Sequence, residues 1–329
     1  MKLEEIARLA GVSRTTASYV INGKAEKHRI SAATRDRVMA IVDQYQYRPD
    51  PAATSLRLGT SRLIGFVLPD LENQSYARLA KLLELGARER GYQLIIGCSG
   101  DDAKTEMSVV EMLVARKIDA LLVTSVLPAT SEFYRRLLAD GLPVIAIDRA
   151  MSDEGFASVV SEDLQGALRL TDSLLVQQPA SIGLLGAMRA IPTSMEREQG
   201  FKQAISYSAR HLTPRYKYGD HFSRECAAAL CQEWIDENGL PEAIVTTSYI
   251  LLEGVLDVLV AHPELMAITR LATFGDHRLL DFLPIKVNAL SQQYPLIAEK
   301  ALSVAMAAIA GEYQPGLHII PRLLKVRAL

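Results

Sequence analysis

Seven apolar runs without internal alternation follow one another after Arg62, and they constrain the fold more than any other feature of the sequence. They span residues 63–68, 94–98, 120–124, 144–147, 182–185, 243–245 and 271–274. Such runs are typical of strands buried on both faces of a parallel sheet. Helical stretches separate them, for example 77–90, 106–117 and 224–238. Because seven or more strands exceed one small sheet, the sequence predicts an α/β body of two doubly wound parallel-sheet lobes with a ligand cleft between them.

The first 61 residues show a different pattern, which predicts a small all-α head of three short helices. The first helix is predicted from residue 3 to residue 10, and the second from residue 14 to residue 21, with Ser13 as its N-cap. Gly11 permits the tight turn between them. A third helix is predicted from Ser31, and its i, i+3, i+4, i+7 spacing places four side chains on a buried face: Val38, Ile41, Val42 and Tyr45.

The charge of the chain is unevenly distributed between these two parts. The net charge is −2, but residues 1–62 hold eleven Lys or Arg against six Asp or Glu, a balance of +5. The remaining residues hold 25 bases against 32 acids, a balance of −7. A small basic head on an acidic body indicates that the head binds nucleic acid.

Residues 5–23 have the residue types of a helix-turn-helix. Small alanines stand where two helices would cross closely, and Val12, Val20 and Ile21 supply a shared core. Five side chains on the second helix are then expected to face outwards and contact DNA: Arg14, Thr15, Thr16, Ser18 and Tyr19. Arginine can pair with guanine, while Ser and Thr can meet base edges or phosphates.

This opening resembles the lactose-repressor family of bacterial transcription regulators, and the resemblance extends over the whole chain. It implies a helix-turn-helix domain at 1–47, a hinge at 48–61 and a ligand-binding and dimerisation domain at 62–329 that is similar to periplasmic binding proteins. It also implies that Leu56 inserts into the DNA minor groove, with Arg57 as its basic neighbour. An apolar side chain inserted in this way acts as a wedge that partly unstacks two neighbouring base pairs. Arg29, in the link before the third helix, is included among the expected DNA contacts.

Two features favour a fructose-responsive branch of that family. Tyr19 stands where many members carry arginine, and the link at 23–30 is longer than usual. The stretches 68–73, 90–94 and 272–276 support the same branch, and a sucrose-responsive branch is the nearest alternative. The resemblance implies fructose 1-phosphate as effector, with fructose 1,6-bisphosphate as a second candidate, or fructose and related sugars in the alternative branch.

Polar residues at predicted strand and helix ends are candidate ligand contacts, because ligands of such sheets bind beyond the carboxyl ends of the strands. They are Ser75, Tyr76, Asp148, Arg149, Arg197, Asp276 and Gln292. Carboxylates accept hydrogen bonds from sugar hydroxyls, and arginines can hold phosphate bidentately. From the residues alone, a strand-end salt bridge explains Asp148 and Arg149 equally well, and a solvated helix face explains Arg197.

An α/β enzyme acting on a phosphosugar is the alternative from another class. The sequence carries no phosphate-binding glycine loop after a strand, no nucleophile elbow and no His-rich metal spacing, so we expect neither an enzyme nor a metal or cofactor. No apolar run approaches the length of a membrane span and the N-terminus carries acids, which predicts a cytoplasmic protein. The expected partners are operator DNA, a phosphosugar and a second copy of the chain. A tetramer is less favoured than a homodimer, because no tetramer-forming tail follows residue 329.

Overall fold

The computed structural model describes residues 1–47, 59–128, 131–151, 155–208 and 212–327. The chain forms two compact units, Met1–Ser61 and Arg62–Leu329. Leu56 and Arg57 lie outside the described residues, as does most of the proposed hinge. Within the described ranges, no helix is both long and apolar enough to cross a membrane.

The described residues of the head form three helices: α1 (Leu3–Leu9), α2 (Arg14–Ile21) and α3 (Ala32–Gln44). Ser13 caps α2, since its Oγ accepts a hydrogen bond from the Thr16 amide at 3.0 Å. Gly11 takes a φ of +62°, which the turn between α1 and α2 requires. The head has its own apolar core, formed by Ile6, Ala7, Ala10, Ala17, Val20, Ala25 and Val38. The predicted all-α head is therefore present.

The first lobe of the body contains β1 (Leu63–Leu68), β2 (Gln93–Cys98), β3 (Ala120–Val123), β4 (Val144–Ile147), β5 (Ala157–Ser161) and β11 (Gly316–Ile320). These strands form one sheet in the order β11-β5-β4-β3-β1-β2, and every pairing is parallel. Helices α4 (Gln74–Glu89) and α12 (Tyr294–Ile309) share one apolar cluster with this sheet. Helices α5 (Ala103–Ala115) and α6 (Glu132–Ala139) share a second cluster with it.

The second lobe contains β6 (Ile182–Ala187), β7 (Arg215–Gly219), β8 (Ala243–Thr246), β9 (Arg270–Phe274), β10 (Val287–Ser291) and β12 (Leu323–Lys325). The strand order is β12-β10-β9-β8-β6-β7, and only the β10–β12 pairing is antiparallel. One apolar cluster includes α7 (Asp163–Leu175) and α8 (Pro192–Tyr207), and another includes α9 (Arg224–Asn238) and α10 (Tyr249–Ala261). Helix α11 (Pro263–Met266) and a 3₁₀ helix (Arg278–Asp281) complete this lobe.

Close helix crossings in the second lobe depend on two glycines. A Cβ on Gly200 would lie 2.1 Å from the Leu164 carbonyl oxygen, and a Cβ on Gly254 would lie 2.1 Å from the Arg224 carbonyl oxygen. Any side chain at either position would push the paired helices apart. These glycines therefore fix how closely α7 approaches α8 and how closely α9 approaches α10.

The chain passes between the lobes three times. It leaves the first lobe after β5 to enter α7, returns after β10 to enter α12, and crosses again between β11 and β12. Gly166 allows α7 to pack closely against β10 beside these crossings, because a Cβ at this position would lie 2.7 Å from a Leu290 methyl group. The two-lobed α/β fold is confirmed, and the three crossings lie beside the edge at which polar side chains gather.

Candidate functional site

The start of α2 presents an exposed polar surface. Arg14 and Thr15 are exposed, and Thr16 is half-buried with its hydroxyl 2.9 Å from that of Ser13. The guanidinium of Arg14 lies 3.1 Å from a carboxylate oxygen of Glu4, and both side chains are largely exposed. An exposed pair of this kind is weak, so Arg14 can exchange this partner for a base or a phosphate.

Ser18 does not face outwards as predicted. Its exposed fraction is only 8%. Asn22 donates from Nδ2 to the Ser18 carbonyl at 2.5 Å, and its Nδ2 also lies 3.3 Å from Ser18 Oγ. One turn of helix brings residues i and i+4 together, and Asn22 thereby covers the serine. Ser18 is consequently a poor candidate for reading DNA in this conformation.

Tyr19 is half-buried, and its ring stacks on His28, which belongs to the link between α2 and α3. Arg29 is exposed and has a φ of +54°, an uncommon value for a residue with a side chain. The link thus places Arg29 on the surface next to the helix-turn-helix. The other predicted DNA contacts that the structure describes remain at least partly accessible: Arg14, Thr15, Thr16, Tyr19 and Arg29.

A polar cleft lies in the body where strands of both lobes end. Six of the seven predicted ligand contacts line it: Ser75, Tyr76, Asp148, Arg149, Arg197 and Gln292. The cleft also contains residues that the sequence did not single out, among them Asp101, Phe222, Thr247, Phe274 and Arg322. The strand-end rule therefore located the cleft, although it did not identify all of its charged groups.

Asp148 follows β4 directly and has a φ of +68°. Its carboxylate accepts a hydrogen bond from the Tyr76 hydroxyl at 3.0 Å and another from Gln292 Nε2 at 3.0 Å. Gln292 Nε2 also donates to Ser161 Oγ at 3.0 Å. Burial, reinforced by the nearby charge of Asp148, raises the pKa of Tyr76 well above its ordinary value. Tyr76 therefore keeps its proton at neutral pH and remains a donor to Asp148 or to a ligand oxygen.

Arg149 is buried and already has a carboxylate partner. Its Nη1 lies 2.5 Å from Asp101 Oδ1, and its Nη2 lies 3.2 Å from Asp101 Oδ2. Asp101 thus occupies the two guanidinium nitrogens with which Arg149 would otherwise bind a phosphate. Arg149 can shape the wall of the cleft, but it is not the arginine best prepared to receive an anion.

Arg197 is also buried, and it lines the cleft. It donates from Nε and Nη2 to Asp163, each at 3.1 Å, and from Nη1 to the Thr247 carbonyl at 2.7 Å. Its guanidinium lies 4.6 Å from the centroid of the Phe274 ring. These contacts fix the guanidinium in one orientation on the side of the cleft formed by the second lobe.

Arg322, which is not among the predicted ligand contacts, is the second buried guanidinium beside Asp163. Its Nη2 lies 2.8 Å from Asp163 Oδ1, within ion-pair distance but without hydrogen-bond geometry. Neither Nε nor Nη2 of Arg322 donates a hydrogen bond to any residue that the structure describes. Burial lowers the pKa of Arg322, because a charged group loses hydration there. Two guanidiniums thus share the single carboxylate of Asp163.

A further buried polar atom in the lining of the cleft has no hydrogen-bond partner among the described residues. The Thr247 side chain is fully buried, and its Oγ1 has no hydrogen-bond partner among the described residues. Buried polar groups normally form hydrogen bonds, and an unsatisfied one costs about 1–3 kcal/mol. Arg322 and Thr247 thus both carry unsatisfied buried polar atoms in residues that line the cleft.

The structure places Asp276 outside this cleft. Its Oδ1 accepts a hydrogen bond from Arg327 Nη2 at 2.6 Å. It lines an adjoining cavity that shares Asn73, Ser75 and Tyr249 with the cleft. Arg327 from the C-terminal segment holds one oxygen of this carboxylate, and the prediction that Asp276 binds ligand hydroxyls stays a prediction.

No group of three or more His, Cys, Asp or Glu that could hold a metal occurs in the ranges the structure describes. The three cysteines, Cys98, Cys226 and Cys231, are free thiols. A helix-turn-helix head and a two-lobed body with a polar cleft together define a DNA-binding regulator that responds to a small ligand.

Comparison with known proteins assigns the family. Residues 2–50 match the sequence family described as bacterial regulatory proteins, lacI family. The model described as periplasmic binding proteins and sugar binding domain of the LacI family matches residues 61–262. The chain belongs to the lactose-repressor family of bacterial regulatory proteins. It is therefore a DNA-binding transcription regulator, and the alternative that it is an enzyme is set aside.

Three similar proteins carry related names. The chain is 57% identical to the fructose operon regulatory protein of Vibrio cholerae over 99% of this chain and 100% of that protein. It is 44% identical to the catabolite repressor/activator of Salmonella typhimurium over 100% and 99% of the two chains. A crystal structure of the Cra transcriptional dual regulator from Pseudomonas putida in complex with fructose 1-phosphate matches with a TM-score of 0.78 and 47% identity, covering 82% of this chain and 99% of that one.

The sucrose alternative is more distant. The sucrose operon repressor of Klebsiella pneumoniae is 32% identical over 99% of this chain and 97% of that protein. The resemblance to the fructose-responsive branch is therefore confirmed at the level of sequence similarity.

Proposed function

We propose that this chain binds operator DNA through its head and that fructose 1-phosphate in the cleft lowers its affinity for the operator. In this proposal residues 1–47 bind DNA, residues 48–61 form a hinge carrying Leu56 and Arg57, and residues 62–329 bind the effector and pair two copies of the chain. One helix-turn-helix reads few base pairs, so a homodimer on a near-palindromic site is the economical assembly. A protein with this function acts in the cytoplasm.

The observation that carries the effector assignment is the shared carboxylate. Arg197 and Arg322 are both buried beside Asp163, so two guanidiniums share one carboxylate as their ion-pair partner. Arg322 lines the cleft, and a phosphate that draws its buried guanidinium away from Asp163 would satisfy donors that have no hydrogen-bond partner among the described residues. Asp148 and Gln292 form a separate polar group suited to sugar hydroxyls. A sugar that carries one phosphate matches both groups at once.

The same geometry favours a monophosphate over a bisphosphate. Arg149 is the third arginine of the cleft, and Asp101 already neutralises it. A second phosphate would have to displace Asp101 or lie next to Asp148. Fructose 1-phosphate is therefore the preferred effector, and fructose 1,6-bisphosphate is expected to bind more weakly. The neutral sugars fructose and sucrose would leave the donors of Arg322 unsatisfied.

Release of the operator requires that the effector bind one lobe arrangement more tightly than the other. Arg197 belongs to α8 in the second lobe, Asp163 begins α7 immediately after the first crossing, and Arg322 lies in the third crossing. A phosphate held by both arginines therefore contacts the segments about which the lobes can move. We propose that this contact selects the arrangement with low operator affinity.

The experiment uses DNA duplexes selected by the full-length protein from a randomised pool. Release of a fluorescent duplex is titrated with fructose 1-phosphate, fructose 1,6-bisphosphate, fructose and sucrose. Fructose 1-phosphate should release the duplex at the lowest concentration from the wild type, whereas Arg197→Ala should bind DNA but not respond. Arg135→Ala is the matched control, because Arg135 is exposed and lies outside the cleft. Release by sucrose, or an unchanged response in Arg197→Ala, contradicts the proposal.

A further inference from the structure

The link between α2 and α3 is folded against the head. The Lys24 amide donates to the Tyr19 carbonyl at 2.8 Å, and the Ile30 amide donates to the Ala25 carbonyl at 2.9 Å. Ala25 is buried in the core of the head, and Ile30 packs against that core. These contacts give the link a defined path, which returns its outer part to the end of the recognition helix.

His28 is the residue that this path brings onto α2. Its imidazole is exposed and lies parallel to the half-buried Tyr19 ring, with 3.5 Å between ring centroids and 5° between ring planes. The two rings overlap closely, so the imidazole covers one face of the phenol. Tyr19 is only half-buried, so part of its side chain remains accessible.

Tyr19 needs such support if it is to read DNA. It stands four residues after Thr15, so both side chains lie on the same face of α2. A tyrosine on a helix surface can adopt more than one rotamer, and fixing one of them costs entropy at the moment of binding. A ring stacked on Tyr19 before DNA arrives removes part of that cost and restricts which base edges the hydroxyl can reach.

We propose that His28 is a positioning residue for sequence readout, acting through Tyr19. This inference rests on the proposed DNA-binding function of the head. The imidazole holds the phenol in the orientation in which Tyr19 meets the base pairs at the end of the recognition helix. The preference for particular base pairs at the positions that Tyr19 contacts then depends on a residue in the link, outside the helix-turn-helix itself.

The basic residues beside His28 have a different role. Lys24, Lys27 and Arg29 are exposed, and none forms an ion pair with another described residue. Cations in this setting bind phosphates, which strengthens binding to every sequence and makes it depend on salt. Loss of a phosphate contact and loss of His28 should therefore be distinguishable, because only the second changes which sequences are preferred.

The test uses the full-length protein and duplexes that the wild type selects from a randomised pool. Affinity is measured for the selected duplex and for every single base-pair change in one half-site. The variants are His28→Leu, His28→Phe, Tyr19→Ala and the double variant Tyr19→Ala/His28→Leu, with Lys27→Ala as the control. Thermal unfolding followed by circular dichroism confirms that each head is folded.

His28→Leu should lose about threefold to tenfold in affinity per half-site, the range that aromatic stacking supplies. Its preference should weaken at the same base pairs as in Tyr19→Ala, and the double variant should be no weaker than Tyr19→Ala. His28→Phe should keep both affinity and preference, because it restores a flat ring. Lys27→Ala should weaken all duplexes equally.

Three results would overturn the inference: His28→Leu with unchanged preference, His28→Phe as defective as His28→Leu, or losses that add in the double variant. If the wild type selects no duplex from the pool, the proposed DNA-binding function itself fails. That outcome is separate from failure of the His28 inference, which requires a selected duplex whose recognition does not depend on the stacked ring.

Discussion

Replacing Arg197 or Arg322 by methionine should have similar effects on ligand binding but different effects on stability. Both guanidiniums lie beside Asp163. Arg197 donates three hydrogen bonds, whereas Arg322 Nε and Nη2 donate none to described residues. Hydrogen bonds to charged groups contribute about 1.5–3 kcal/mol each. Because Arg322 would still lie beside Asp163, Arg197→Met should reduce the free energy of unfolding by about 2–4 kcal/mol.

Arg322→Met should change the free energy of unfolding by no more than about 1 kcal/mol. Methionine removes a buried charge whose desolvation is unfavourable, and Arg197 continues to satisfy Asp163. Each variant nevertheless removes a charged donor from the proposed phosphate position. Fructose 1-phosphate should therefore bind each about 10- to 100-fold more weakly than it binds the wild type, from the same range of hydrogen-bond energies.

Urea denaturation measures the free energy of unfolding, and isothermal titration calorimetry measures the affinity for fructose 1-phosphate. Arg135→Met is the control for both, since Arg135 is exposed on α6 and its ion pair with Glu132 lies on the surface. Equal destabilisation by Arg197→Met and Arg322→Met would refute the reasoning about stability. Unchanged affinity in Arg322→Met would refute the assignment of Arg322 to the phosphate.

Three further predictions concern other parts of the chain. Arg189 and Lys202, together with the Tyr218 hydroxyl, lower the pKa of Glu198 to about 2, so Glu198→Gln should cost about 1–3 kcal/mol at pH 7. That difference, measured by urea denaturation, should shrink as the pH falls from 4.5 towards 2, because the unfolded state binds a proton on Glu198 near pH 4.5 whereas the folded state does so only near pH 2. A difference that stays constant with pH would contradict this. Gly200→Ala should lower the free energy of unfolding by about 1–3 kcal/mol in the same assay, because its Cβ would meet backbone atoms of α7. Gly86→Ala should be tolerated, because its Cβ would meet only the end of the Leu302 side chain. Equal effects of the two substitutions would contradict this prediction. Leu56→Ala should weaken operator binding in a mobility-shift assay but leave the calorimetric affinity for fructose 1-phosphate unchanged, and unaltered operator binding would remove the wedge assignment.

The sequence predicts the fold class correctly because buried parallel strands and amphipathic helices leave strong periodic signals. Strands without such signals were missed. β7 is half-buried and reads Arg-Tyr-Lys-Tyr-Gly, and β12 has only three residues. In the head, Tyr45 was expected inside but is 45% exposed, because α3 ends at Gln44 and releases it from the helical face.

The candidate site was predicted in part for a similar reason. Strand ends identified Asp148, Arg149 and Gln292, since that rule needs only local sequence. Arg322 follows a short strand near the C-terminus, and only the third crossing brings it beside Asp163 and Arg197. The capture of Asp276 by Arg327 is likewise a contact between segments 51 residues apart. Ser18 could have been identified as covered, because Asn22 stands one helical turn after it.

The central claim is that the effector in the cleft and the operator on the head are coupled, and reciprocity tests it most directly. The affinity for fructose 1-phosphate is measured by calorimetry with the protein free and with the protein saturated by its selected duplex. If the two sites are linked, the operator must weaken fructose 1-phosphate binding by the same factor by which fructose 1-phosphate weakens operator binding. Equal factors are the predicted result. An affinity for fructose 1-phosphate that the operator does not change would contradict the account.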